Sequence, residues 1–270
     1  MSKYNDLKNK VVVISGAAGS IAEEITIEFI KNHAIIFGLD KDIIALKKKF
    51  ISIKKKYPNA QIHPINCDIT NEKDVRKKIK IILKKKNKID ILINNAAAKT
   101  KKLKNFFKNF ENFQYTDWKA IMSVNIDGAF LLSKEISKIM IKEKKGSIIS
   151  IASIQGVVGN DKRLYAGSKF KGIQMSSPAV YSTSKSALIG LTRYLATYLG
   201  EFNIRANSIS PGGLSGAQNK RFKKNYSKKV PLNRMGTLNE VAKSVLFLSS
   251  DSSSYISGQN ILVDGGYTAW

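Results

Sequence analysis

The sequence predicts an α/β fold, a doubly wound parallel sheet with helices on both faces, and three observations lead there. Short β-branched runs that read as buried strands alternate with longer lysine-studded stretches whose apolar residues recur at helical spacing. The first run passes into a helix through a glycine turn, and the second ends on a carboxylate, Asp40, 24 residues after Gly16. The 270 residues, 43% of them hydrophobic, can form one substantial core, and no Pro/Gly-rich linker divides them, so one domain over 1–270 is expected.

Taken in order, Val11 to Ile14 is the first strand, and Ser15-Gly-Ala-Ala-Gly-Ser-Ile-Ala22 opens a helix that runs through Ile30. Gly16 permits a tight turn, Gly19 lets backbone approach a pyrophosphate, and Ala22 is the third small position, where helix packs on strand. Unpaired amides at the helix start, around Ser20 and Ile21, then face the phosphates. Ala34 to Leu39 is the second strand, and Asp40 at its end can accept both ribose hydroxyls of an adenosine. The same carboxylate repels a 2′-phosphate and no Arg stands beside it, although Lys41 follows, so NAD is favoured over NADP. Gln61 to Asn66 is the third strand and leads to Cys67-Asp68-Ile69. Asp68 either meets the adenine or caps the helix beginning near Asn71.

That helix runs to about Lys86 with Val75, Ile79 and Ile82 on its apolar face, and Ile89 to Ile93 supplies the fourth strand. The small residues after it, Asn94-Asn95-Ala96-Ala97, let a flat ring or ribose lie against backbone, while Asn amides bridge neighbouring strands. A long helical segment from Trp118 to about Lys142 contains Asn125 between apolar neighbours, so Asn125 must be buried and hydrogen-bonded. Capping of a helix irregularity is the structural alternative for it. The fifth strand, Gly146 to Ala152, delivers Ser153 at its carboxyl end, where open α/β sheets bind ligands. Tyr181 and Lys185 stand four apart at the start of a helix whose Ala187, Leu188, Leu191, Leu195 and Leu199 keep a helical period. A cation about 5 Å from the phenol, at an effective dielectric near 20, favours the phenolate by roughly 3 kcal/mol, about two pH units.

The net charge of +26, from 46 Lys+Arg against 20 Asp+Glu, raises nucleic acid as a partner, but the lysines are spread through nearly every predicted helix. Dispersed solvated faces are the simpler account, and nucleic acid is disfavoured. Cys67 is the one cysteine, so no internal disulfide and no Cys-rich metal site is expected; His33 and His63 have no partner at ligand spacing. The N-terminus lacks the apolar core of a signal peptide and no later run is long enough to span a bilayer, which predicts a cytoplasmic protein.

With Asn125, Ser153, Tyr181 and Lys185 in view, and with Asn207-Ser-Ile-Ser-Pro-Gly-Gly213 and Tyr255-Ile-Ser-Gly-Gln-Asn-Ile-Leu-Val-Asp-Gly-Gly266 behind them, the chain resembles the short-chain dehydrogenase/reductase family over essentially its whole length. The resemblance implies a Rossmann fold with a seven-stranded parallel sheet, and a nicotinamide cofactor whose contacts fall on Gly16, Gly19, Ser20, Ile21, Asp40, Asp68, Ile69, Asn95, Ala96, Ala97, Tyr181, Lys185, Pro211 and Gly212. It implies a tetrad: Tyr181 as acid/base, Lys185 binding the nicotinamide ribose and lowering the Tyr pKa, Ser153 orienting the substrate oxygen, and Asn125 holding a relay water. It also implies a homodimer or homotetramer built through the helices at about 118–142 and 181–199. The activity implied is interconversion of a secondary alcohol and a ketone on a small-molecule substrate.

Three departures from the family pattern stand out. The glycines follow Gly-x-x-Gly-x-x-Ala, Asn94-Asn-Ala-Ala97 carries Ala where the family usually has Gly, and Tyr181 follows Ser153 by 28 residues where about a dozen is usual. An active-site insertion at about 155–180 is therefore expected, and with Met175-Ser-Ser-Pro178 it resembles a bacterial branch linked to flagellin modification and nonulosonic-acid sugars. That narrower resemblance implies a sugar or sugar derivative as substrate. A substrate lid is expected at about 213–230, where Lys220, Arg221, Lys223 and Lys224 can engage a phosphate or carboxylate of an anionic substrate, or be a solvated face. Reduction of a 3-oxoacyl thioester is the alternative activity, and a nicotinamide-binding regulatory or nucleic-acid-binding module is the non-enzymatic one. Tyr165-Ala-Gly-Ser-Lys169 also satisfies Tyr-x-x-x-Lys, 12 residues after Ser153, but Gly172 and Pro178 interrupt any helix behind it.

Overall fold

The computed structural model describes residues 4–270. In chain order the elements are β1 (Val11–Ser15), α1 (Ser20–Lys31), β2 (Ile35–Asp40), α2 (Ile43–Lys56), β3 (Ile62–Asn66), α3 (Glu72–Lys86), β4 (Ile91–Asn94), α4 (Leu103–Phe106), α5 (Tyr115–Met122), α6 (Gly128–Glu143), β5 (Gly146–Ile151), β6 (Lys169–Phe170), β7 (Ile173–Gln174), α7 (Ala179–Leu199), β8 (Ile204–Pro211), α8 (Lys220–Ser227), α9 (Leu238–Ser249) and β9 (Asn260–Val263). Seven strands form one sheet in the order β3-β2-β1-β4-β5-β8-β9, every pair parallel. The order reverses between β1 and β4, and that crevice is where such sheets receive ligands.

The near-continuous apolar strands are explained by burial on both faces. Val12, Ile14, Ile36, Ile91 and Ile93 point to one side, into a core shared with α1, α2 and α9. Their neighbours Val11, Val13, Ile35, Phe37 and Leu92 point to the other, into a core shared with α3, α6 and α7. Among the described residues no helix is long and apolar enough to cross a membrane.

Boundaries differ in informative places. β4 starts at Ile91 and not Ile89; just before it the Asp90 carboxylate accepts the Val11 N–H at 2.8 Å, and the Asp90 N–H donates to the Val11 carbonyl at 2.9 Å. The long segment expected from Trp118 starts at Tyr115 and is interrupted by a π-helical turn at Ser123–Asp127, between α5 and α6. The chain between Ser153 and α7 includes two 3-10 turns and a β6–β7 hairpin. Both residues of the hairpin turn, Lys171 and Gly172, have left-handed φ, +50° and +79°, as type I′ hairpins require.

Candidate active site

At the β1–β4 crevice, Gly16 has φ +62°, and a Cβ on it would lie 2.7 Å from the Ala96 Cα, so only glycine lets the two strand ends approach. Ser15 Oγ accepts the N–H groups of Asn95 and Ala96, both at 3.1 Å, and Asn95 Nδ2 donates to the Ser15 and Gly16 carbonyls at 3.0 and 3.2 Å. Gly19 caps α1 without a side chain, which leaves the first amides of the helix, at Ser20 and Ile21, open to an anion. Asp40 accepts the Ala18 N–H of the glycine turn on one carboxylate oxygen and the Asp42 N–H on the other, both at 3.0 Å, so each oxygen is anchored by one bond while its other lone pairs stay available. Across the crevice, Gly212 follows Pro211 at the end of β8, and a Cβ there would meet the Asp264 Cα at 2.9 Å. Small residues, open amides and an anchored carboxylate in this order fit a dinucleotide.

Two of the expected contacts fit less well. Asp68 is exposed and accepts from Thr70 through N at 3.0 Å and Oγ1 at 2.7 Å, bonds that hold its carboxyl below the usual range. It is not the cap of α3, which is Asn71, accepting the Asp74 N–H at 3.1 Å. Ile69 is buried, and its side chain fills the space over Gly128 on α6, where a Cβ would come within 2.6 Å, so it offers no side chain to a cofactor.

The tetrad residues converge on the carboxyl edge of β5. Lys185 is 3% exposed, and its Nζ donates to the Ile151 carbonyl at 2.6 Å and lies 5.8 Å from the centroid of the Tyr181 ring. Ser153 is extended after β5, its Oγ accepts the Gln155 N–H at 3.2 Å, and its hydroxyl is hydrogen-bonded to the Tyr181 phenol. Asn125, 1% exposed, sits in the π turn, accepts the Ala98 N–H at 2.8 Å and donates to Ser184 Oγ at 2.9 Å; Ser184 in turn donates to the Tyr181 carbonyl at 3.0 Å. These bonds tie the π turn to the loop after β4 and to the start of α7.

Electrostatics here correct the simple two-charge expectation. Burial is the largest influence on Tyr181 and raises its pKa, with the Ser153 hydrogen bond lowering it in part. Burial also brings the Lys185 ammonium down to about 8. The Tyr181 ring still opens on the cleft, but its surroundings strip enough water to raise the phenol in spite of the Ser153 contact.

The cleft has a volume of about 360 Å³ and a roof. The insertion and the expected lid form that roof together: Phe170 bridges to Gln218, and the Asn219 N–H donates to the Lys169 carbonyl at 3.0 Å. Leu164, Phe222, Tyr226 and Val230 form a small core of their own beneath it. Of the lid's basic residues, Lys220, Arg221 and Lys224 are exposed and none of the four lines the cleft; α8 turns Phe222 and Tyr226 inward instead. The solvated-face alternative describes this helix. Tyr165 also lines the cleft, with its hydroxyl accepting from Gln155 Nε2 at 3.0 Å, while Lys169 is exposed on the hairpin.

A family model described as short chain dehydrogenase matches residues 10–179. The chain belongs to the short-chain dehydrogenase family. A second model, described as Enoyl-(Acyl carrier protein) reductase, matches residues 170–268. Among curated relatives, the 3-oxoacyl-[acyl-carrier-protein] reductase of Buchnera aphidicola subsp. Schizaphis graminum is 31% identical over 265 residues, 96% of this chain and 98% of that protein. A short chain dehydrogenase of Leptospira borgpetersenii serovar Hardjo-bovis, solved with bound NAD+, superposes with a TM-score of 0.82 at 34% identity, covering 98% of this chain and 94% of that one. An NAD+-bound xylitol dehydrogenase superposes with a TM-score of 0.81 at 28% identity, covering 96% and 99%. As a member of this family the chain is an oxidoreductase acting on CH–OH groups.

Sequence reasoning missed several residues of this short-chain dehydrogenase's site. Ser15 and Ser184 join strand ends and helix starts, but serine is too common for either to stand out. Lys99, which lines the cleft, is one lysine in a chain that carries 46 basic residues. The hairpin at Lys171-Gly172 did leave a signal, an X-Gly pair between short extended runs.

Proposed function

We propose that this enzyme is NAD-dependent and interconverts a secondary alcohol and a ketone on a sugar or sugar derivative. The observation that carries the reaction is the phenol of Tyr181 held against the Ser153 hydroxyl, one helical turn from a buried Lys185. In the oxidative direction Tyr181 takes the substrate's hydroxyl proton, and in the reductive direction it returns one. Ser153 orients the substrate oxygen, and Lys185, anchored on the Ile151 carbonyl, presents its remaining N–H groups to the cofactor ribose and the phenol. Asn125 keeps the start of α7 in place and has one amide hydrogen left for a relay water. A bound nicotinamide supplies the hydride acceptor or donor.

The anchored Asp40 carboxylate and the NAD+ held by the Leptospira relative support NAD as the cofactor. Isothermal titration is expected to give tighter binding of NAD than NADP, and Asp40→Ala to weaken NAD by about 1.5–3 kcal/mol, a charge-assisted contact. Equal or tighter NADP binding to the native protein contradicts this.

Support for a sugar derivative comes from the insertion's resemblance to the flagellin and nonulosonic-acid branch and from the likeness to a xylitol dehydrogenase. Reduction of a 3-oxoacyl thioester is a second reading, favoured by the Buchnera relative's activity and by the aromatic walls Phe106, Phe107 and Phe222. A comparison of kcat/KM on sugar derivatives against acetoacetyl thioesters decides between them, and a higher value for the thioester replaces the sugar reading. We also read the exposed Phe130 on α6 and the stacked, exposed Tyr194 and Tyr198 on α7 as contacts of a homodimer or homotetramer.

A further inference from the structure

Lys99, five residues beyond the end of β4, lines the same cleft as Ser153 and Tyr181. Its Nζ stands 4.9 Å from the centroid of the Phe170 ring and 5.9 Å from that of Phe106. On the hairpin, Lys171 sets a second ammonium 5.9 Å from the same Phe170 ring. No Asp or Glu lines this cleft, and among the described residues no carboxylate pairs with Lys99. Two ammonium groups share one ring, therefore, with no counter-charge between them. Crowding by the cleft walls, then the charge of Lys171, holds the Lys99 ammonium below its ordinary range. An aromatic face offsets part of such a cost, and an anion in the cleft would offset more of it. The other cation of the cleft, Lys185, is committed to the Ile151 carbonyl and is buried. Lys99 is open to solvent and faces the side of the cleft built by Phe106, Phe170 and the insertion.

We propose that Lys99 is a specificity-determining residue that receives the acidic group of the substrate, so that the substrate is a small organic anion whose carboxylate or phosphate rests on Lys99 while its reacting carbon lies at Ser153 and Tyr181. The inference rests on the oxidoreductase reading and narrows it. Sugar acids and sugar phosphates fall within the class. It also moves anion recognition from the lid's basic residues, which face solvent, to a residue inside the cleft.

Two matched probe pairs test it, 4-oxopentanoate against its methyl ester and dihydroxyacetone phosphate against dihydroxyacetone. Binding is read by ligand-observed NMR with and without NADH, and turnover is followed separately. The native protein is expected to prefer the acid in at least one pair, and which pair shows the larger preference identifies carboxylate or phosphate. Lys99→Met is expected to cut that preference by roughly ten- to a hundredfold, the loss of one charge-assisted contact, while NADH affinity and melting temperature stay unchanged. Lys99→Arg should restore most of it, and Lys220→Met, on the solvent face of α8, should leave it untouched. No preference for either acid in the native protein overturns the proposal, as does an unchanged preference in Lys99→Met. Equal weakening of acid and neutral probe together with lost thermal stability also overturns it and assigns Lys99 to ring stacking alone. Failure of the oxidoreductase reading shows differently, as absent NADH binding or turnover while the acid preference still follows Lys99.

Discussion

Tyr181→Phe is expected to lose turnover by roughly a hundred- to ten-thousandfold, the usual range for removing a positioned acid/base, with NAD binding retained. Tyr165→Phe is expected to keep the chemical step and to change substrate affinity alone. Both phenols face the cleft and both begin a Tyr-x-x-x-Lys pattern, so the distinction is geometric. Tyr181 is in the first turn of α7, a helix of 21 residues, with Ser153 on its hydroxyl and Lys185 one turn on. Tyr165 ends a short 3-10 turn, its hydroxyl accepts from Gln155, and burial pushes its pKa up to about 12. Its would-be partner Lys169 lies exposed on β6. Single-turnover kinetics on the two variants measures the chemical step directly, and the opposite pattern of losses would transfer the catalytic role to Tyr165.

The direction of the Tyr181 shift adds a pH signature. A phenol raised above its ordinary 10 is protonated at neutral pH, the form that reduction needs and oxidation must first lose. Oxidation should therefore accelerate as pH rises toward and past 10, and reduction should slow over the same interval. In Tyr181→Phe both slopes should vanish from whatever residual rate remains.

Much of this architecture was legible because it is local. The β-branched runs, the glycine turn and Asp40 each declare themselves within a few residues, and β1, α1 and β2 lie within a residue or two of where those signals put them. Whatever depends on distant partners was not. Nothing near Asn125 in sequence announces a π turn; it is held by Ala98 and Ser184, 27 positions before and 59 after. The pairing of Phe170 with Gln218 joins two segments that each read as separate covers. The Tyr181 pKa was misjudged for a physical reason: the packing that brings Lys185 within reach also removes water from the phenolate, and a Coulomb term in a uniform dielectric omits that cost. For α8 the sequence leaves two alternatives open, because it displays Lys220, Arg221, Lys223 and Lys224 and not the direction of the apolar face, which only the roof reveals.

Gly156→Ala is expected to lower kcat on the order of a hundredfold while sparing cofactor affinity, although Gly156 does not line the cleft. Gly156 closes the 3-10 turn that starts at Ser153, and its carbonyl accepts a hydrogen bond from Ser186 Oγ at 2.9 Å. A Cβ on it would lie 2.7 Å from the Lys185 carbonyl carbon, 2.9 Å from its oxygen and 2.9 Å from the Ser186 nitrogen. All three are backbone atoms of α7, so no side chain can swing aside. The methyl group must push the Ser153 turn away from the helix that carries Tyr181 and Lys185. A displacement near 1 Å between reacting groups costs about a hundredfold in rate, and overpacking of this kind costs about 1–3 kcal/mol of stability. The residues proposed to hold the cofactor, Gly16, Asp40 and Asn95, lie at or just beyond the ends of β1, β2 and β4 and should not feel it. Gly159→Ala is the control, in the same insertion with nothing within 4 Å of the added methyl, and should behave as native. Thermal unfolding, NAD titration and kcat on the two variants separate the effects, and a native kcat in Gly156→Ala would mean that the Ser153 turn can move without disturbing the chemistry.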